Sequence, residues 1–137
     1  MLVGKGRFAK HLSKRGINVF GVDMSAKLLD QFIGTDKKKG SILNIEVSDS
    51  YFDGAYTIEV VEHLPSLIEN AIKELHRVVK PGCKVVIIDK NKEINSGKEK
   101  WEDWFREDEV KKLMNKYFKH VISRRISDLF ICWVGVK

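Results

Sequence analysis

A chain of 137 residues can enclose one hydrophobic core and is sized for one domain over residues 1–137. Its composition, 43% hydrophobic and 32% charged, is that of a soluble globular protein, and no apolar run approaches the roughly 20 residues that cross a bilayer. The net charge of +6 admits an acidic partner, but lysines alternate with glutamates over most of the chain, which favours a solvated surface over a nucleic-acid track.

Helical and strand-like periods alternate along the chain, the pattern of a parallel sheet covered by helices. Phe8, Ala9 and Leu12 share one face of a helix that ends at Gly16, and residues 17–23 read as a buried strand. Ser25 can cap a second helix with Leu28, Leu29 and Phe32 inside, followed by Gly34 and the exposed run Lys37-Lys38-Lys39. Residues 41–45 and 54–58 read as the third and fourth strands. Ser66 and Glu69 have the spacing of a capping box, ahead of a helical stripe through Ile68, Ala71, Ile72, Leu75 and Val78 that Pro81-Gly82 stops. The apolar run 84–89 is a central strand, and 90–100 is a polar connection. Val110, Leu113, Met114 and Tyr117 mark a last helix, and 120–126 with 129–136 form a hairpin around Ser127-Asp128.

Some residues on this frame carry chemistry. Gly4 and Gly6 let the backbone approach a ligand ahead of a helix start with unbonded N–H groups, although two glycines also fit an ordinary tight turn. Asp23 ends the second strand, where a carboxylate can accept from both hydroxyls of a ribose or cap the following helix. His63 is the side chain best suited to accept a proton near neutrality, while packing or capping is the more general role of such a residue. Trp101, Trp104 and Phe105 can wall a pocket, but anchoring the polar connection to the last helix is the simpler use. Cys83 and Cys132 form no CxxC pair and the histidines have no ligand spacing, so neither a disulfide nor a metal site is expected. The opening residues lack the apolar core of a signal peptide, which makes a cytoplasmic location the expectation.

Glu59-Val60-Val61-Glu62-His63-Leu64-Pro65, then Val79-Lys80-Pro81-Gly82-Cys83, together with Gly4-Lys5-Gly6 and Gly21-Val22-Asp23-Met24-Ser25, resemble in their order the class I S-adenosylmethionine-dependent methyltransferases. The nearest likeness is to the branch that acts on small molecules. The resemblance implies a Rossmann-like, doubly wound α/β fold with a mostly parallel sheet of order 3-2-1-4-5-7-6 and an antiparallel terminal hairpin. It also implies S-adenosylmethionine as cofactor, with its amino-acid moiety at Gly4 and Gly6 and its ribose at Asp23. Met24, Ser41 and Ile42 would meet the adenine, and Ile58 and Glu59 the methionine end. Ser41 stands where the family carries an acid, and Leu2 where it carries its first glycine. The alignment predicts that most of the first strand is missing, so strand exchange in a homodimer is one way to complete the sheet. The implied function is methyl transfer to a small-molecule acceptor. Two rival readings are a noncatalytic relative that binds protein or RNA and a nicotinamide-dependent oxidoreductase, the latter opposed by the terminal hairpin.

Overall fold

The apolar positions 68, 71, 72, 75 and 78 do share one buried helix face in the computed structural model, which describes residues 7–34, 36–93 and 104–137. The elements are α1 (Arg7–Ser13), β1 (Phe20–Asp23), α2 (Ala26–Asp30), β2 (Asp36–Lys39), β3 (Phe52–Ile58), α3 (Ile68–Val78), β4 (Val79–Lys90), α4 (Glu107–Met114), β5 (Lys119–Arg125) and β6 (Phe130–Val136). Two short 3-10 turns, Val61–His63 and Pro65–Leu67, lead into α3.

Strands β1 and β2 pair in parallel, and a second sheet has the order β3-β4-β6-β5, parallel at β3–β4 and antiparallel beyond. Each sheet has its own order, and the two are not paired with each other among the described residues. Among the described residues no strand lies between β1 and β3. The two sheets meet through Phe20 and Phe52, whose ring centroids are 5.5 Å apart, and Val22 of β1 joins the main core with Ala55 of β3. Core packing therefore crosses the place where backbone pairing stops.

The third strand is a correction to the sequence reading. It occupies Asp36–Lys39, and every residue in it is exposed, while 41–44 close a tight turn in which Asn44 N–H donates to the Ser41 carbonyl at 3.1 Å. An edge strand needs only backbone groups to pair with β1, and lysines there oppose further strand addition, so its side chains carry no buried pattern. The predicted capping box is also absent. Ser66 lies within the turn begun by Pro65, Leu67 sits at the helix cap, and Glu69 instead accepts from Tyr117 Oη at 2.6 Å and Lys116 Nζ at 3.2 Å. Phe8, expected on the inner face of α1, is exposed, and Ala9 fills that position.

Arg77 of α3 fastens the loop before β3. Its guanidinium donates to the Ile45 and Val47 carbonyls at 2.8 and 2.9 Å, and Glu74 Oε1 accepts from Ile45 N–H at 2.7 Å. These bonds hold the segment that follows Ser41 and Ile42 against the helix. At the other end of the sheet, Gly135 of β6 lies so close to α4 and its following turn that an added Cβ would meet Phe118 Cβ at 2.7 Å and Met114 Cε at 3.1 Å. Gly135→Ala should cost about 1–3 kcal/mol by overpacking. An unchanged urea midpoint would show that Phe118 yields freely.

Candidate functional site

The carboxyl ends of β1 and β3, with the segments that follow them, enclose a cleft of about 260 Å³. Loop residues at strand ends suit such a site because the sheet holds them rigidly while their side chains stay accessible. Asp23 closes β1. Its Oδ1 accepts from Ser25 N–H at 2.8 Å, which leaves Oδ2 without a hydrogen bond among the described residues. Its carbonyl accepts from Gly40 N–H at 3.0 Å, tying the two parallel chains together at the mouth. Ser25 then caps α2 through Leu28 N–H at 3.3 Å, so one short stretch both starts the helix and aims the carboxylate.

On the β2 side, Ser41 Oγ accepts from Leu43 N–H at 3.1 Å, and its hydroxyl proton remains able to donate. Ile42 is buried beside it, whereas Met24 is 70% exposed. On the β3 side, Glu59 has φ of 54°, a left-handed conformation that a non-glycine residue adopts at a cost of about 1–3 kcal/mol. Its N–H still donates to the Ile88 carbonyl at 3.0 Å, so the strand pairing continues through the strained residue. Asp23, Met24, Ser41, Ile42, Glu59 and His63 thus line one cleft. Ile58 is not among its lining residues, because the strand alternation that turns Thr57 inward sends its neighbour the other way. Gly4 and Gly6 lie outside the described residues, as does Trp101.

Behind the turn that carries His63 sits an acidic pair that the sequence did not reveal. Asp89, at the end of β4, is fully buried, and its Oδ2 accepts from Val61 N–H at 3.0 Å and Glu62 N–H at 3.3 Å. Burial, and then the Glu62 carboxylate, push Asp89 up to about 7. Lys90 Nζ stands 3.2 Å from Glu62 Oε1 and 5.4 Å from the centroid of the Trp104 ring. His63 Nε2 is 3.6 Å from the same Glu62 oxygen, with its imidazole half exposed at the cleft. Trp104 and Phe105 are buried, and Phe105 exchanges backbone hydrogen bonds with Lys90 and Lys92, so these two aromatics anchor the chain after the polar connection. Arg124 and Arg125 are exposed, and Arg125 pairs with Glu93 and Glu107. Sequence reading also missed Thr57, Leu28 and Leu64 in the cleft wall.

A family model described as a methyltransferase domain matches residues 2–87. Over 110 residues the chain is 34% identical to a 2-phytyl-1,4-naphtoquinone methyltransferase of Synechocystis sp., a match covering 71% of this chain and 44% of that protein. The chain spans less than half the length of the first curated relatives it matches. Among solved structures, a SAM-dependent methyltransferase from Archaeoglobus fulgidus is similar with a TM-score of 0.85 at 16% identity, covering 98% of this chain and 82% of the other. The 1,6-didemethyltoxoflavin-N1-methyltransferase of Burkholderia thailandensis, solved with S-adenosylhomocysteine, gives 0.77 at 17% identity, with 98% and 67% covered. At these identities the structural likeness establishes the fold. Since the family model takes in well over half of its residues, this chain belongs to the methyltransferase domain family and has the Rossmann-like α/β fold of SAM-dependent methyltransferases.

Proposed function

We propose that this chain binds S-adenosylmethionine in the cleft between β1 and β3 and directs its methyl group to a small-molecule acceptor. The observation that carries the reading is the convergence in one cleft of the Asp23 carboxylate, the Ser41 hydroxyl and the apolar Met24 and Ile42. That set fits a nucleoside: a carboxylate oxygen for ribose hydroxyls, a hydroxyl donor for a ring nitrogen, and apolar surface for the base. When bound, S-adenosylmethionine supplies a sulfonium methyl carbon that a nucleophile displaces in line. Glu59 and Asp23 place carboxylates along the cleft, which favours a cationic ligand over a neutral one. His63 also lines the cleft, and its imidazole would take the proton of an O–H or N–H acceptor bound beside it. The rest of the task is alignment and exclusion of water, for which the buried Ile42 and the overlying Met24 provide apolar walls. Gly4 and Gly6 would bring backbone N–H groups to the amino-acid end. A small acceptor is supported by the names of two similar proteins, a 2-phytyl-1,4-naphtoquinone methyltransferase and a 1,6-didemethyltoxoflavin-N1-methyltransferase.

Calorimetry with S-adenosylhomocysteine and with NAD tests this reading. Binding of the first alone is expected, and Asp23→Ala should weaken it about tenfold or more by removing charge-assisted hydrogen bonds. A folded variant that binds as tightly as the parent would remove the ribose role from Asp23. Failure of the parent to bind S-adenosylhomocysteine would favour a noncatalytic relative, and binding of NAD an oxidoreductase.

A further inference from the structure

The turn that brings Ser41 and Ile42 to the cleft is anchored at both ends. At its start Gly40 N–H donates to the Asp23 carbonyl of β1 at 3.0 Å, and at its close Ile45 N–H donates to Glu74 Oε1 of α3 at 2.7 Å. Between them Asn44 N–H closes the turn on the Ser41 carbonyl, and Ser41 Oγ accepts from Leu43 N–H. The second anchor centres on Arg77. Its guanidinium makes five hydrogen bonds, one for each N–H it carries: to Glu74 Oε2 and Oε1 at 2.9 and 2.7 Å, to the Ile45 and Val47 carbonyls at 2.8 and 2.9 Å, and to Asp49 Oδ1 at 2.8 Å. Arg77 itself does not line the cleft.

Three of the five bonds reach back 28, 30 and 32 residues along the chain, so the network is built around the loop rather than within the helix. Ordering such a loop costs conformational entropy, and a ligand that meets it out of place binds more weakly by the fraction of time it is misplaced. A planar guanidinium suits the task because its rigid fork grips two carbonyls and a carboxylate together, which a single ammonium cannot do. We propose that Arg77 is a positioning residue: by clamping residues 45–49 to α3 it holds the Ser41 hydroxyl where the base of the ligand is read. It sets cofactor affinity without touching the cofactor, an inference that rests on the cofactor reading above.

Double-mutant cycles, read by calorimetry with S-adenosylhomocysteine, test the proposal. Arg77→Lys should bind about five- to tenfold more weakly than the parent, and Ser41→Ala about threefold more weakly. Within Arg77→Lys, adding Ser41→Ala should change affinity by less than about 1.5-fold, since the hydroxyl is already out of place. The Asp23→Ala loss should persist in full there, because Ser25 N–H rather than Arg77 holds that carboxylate. Stability falls in Arg77→Lys whether or not the clamp serves the cleft, so the pattern of coupling is the deciding readout. Should that variant fail to fold, Glu74→Gln keeps an acceptor for Ile45 N–H, removes the anion that grips Arg77, and should show the same coupling with a loss of about threefold. Parent-like affinity in the folded clamp variants, an undiminished Ser41→Ala loss within them, an Asp23→Ala loss that vanishes with the clamp, or a Ser41→Ala protein that binds like the parent would each overturn the proposal. If the parent does not bind S-adenosylhomocysteine, the cofactor reading falls and this inference falls with it. If the parent binds and the Arg77–Ser41 cycle is additive, only this inference falls.

Discussion

Asp89→Asn should become more stable relative to the parent as the pH rises from about 4 to about 7, by up to about 4 kcal/mol. The folded chain holds the Asp89 proton up to about 7, whereas the unfolded chain releases it near the ordinary value of 3.8. Between those limits the folded state binds more protons. The contribution of Asp89 is therefore fully favourable below the ordinary value and is lost as pH climbs through about 7. The gap of roughly three pH decades sets the ceiling, and the Lys90 ammonium beside Glu62 reduces it. An amide oxygen can still accept from Val61 and Glu62 N–H, so the variant keeps the turn that presents His63 while losing the titration. Groups that do not interact with Asp89 titrate in both proteins and cancel in the difference. Burial and the nearby Lys137 lower His76, and the Arg77 guanidinium lowers Glu74, but neither touches Asp89 in any hydrogen bond or ion pair. Urea unfolding of parent and variant across this range gives the two curves. Parallel curves would mean that Asp89 is ionised in the folded chain throughout.

Trp133→Ala should lower stability by about 3–5 kcal/mol, a large part of the roughly 5–15 kcal/mol that holds a domain together. Trp133 is fully buried on β6, opposite Ile87 of β4, and its Nε1–H donates to the Glu107 carbonyl at 2.8 Å. Truncation leaves a cavity beneath α4 and also removes the hydrogen bond that ties β6 to the first turn of that helix. Trp133→Phe keeps most of the ring volume and loses the hydrogen bond, so a smaller loss of about 1–2 kcal/mol is expected. The effect reaches the site, because the same strand pairing that places Ile87 opposite Trp133 carries Asp89 to the turn at 61–63. Denaturation followed by circular dichroism separates the variants. A parent-like midpoint for Trp133→Ala would contradict the packing described here.

The features that sequence reading recovered are those whose cause is local. The helix α3 follows from apolar residues at helical spacing, the strand β4 from a continuous apolar run, and the closing hairpin from two strand-like segments across Ser127-Asp128. Asp23 and Ser25 were readable together because a strand end, a short polar turn and a helix cap are neighbours in the chain. The strand β2 was hidden, since an exposed edge strand is held by its backbone and its lysines obey no burial period. The capping box at Ser66 failed because Pro65 begins a 3-10 turn that moves the cap to Leu67. The amino-acid order alone placed a carboxylate at the end of β1 and a histidine in the segment after β3. Folding determined that Asp89 meets the amides of Val61 and Glu62 and that Thr57 keeps a buried hydroxyl without a hydrogen bond among the described residues. Both depend on strands β3 and β4 pairing in one register, with Ile58 opposite Ile88. Burial, hydrogen-bond supply and local charge are set by residues far apart in the chain, and no local period encodes them.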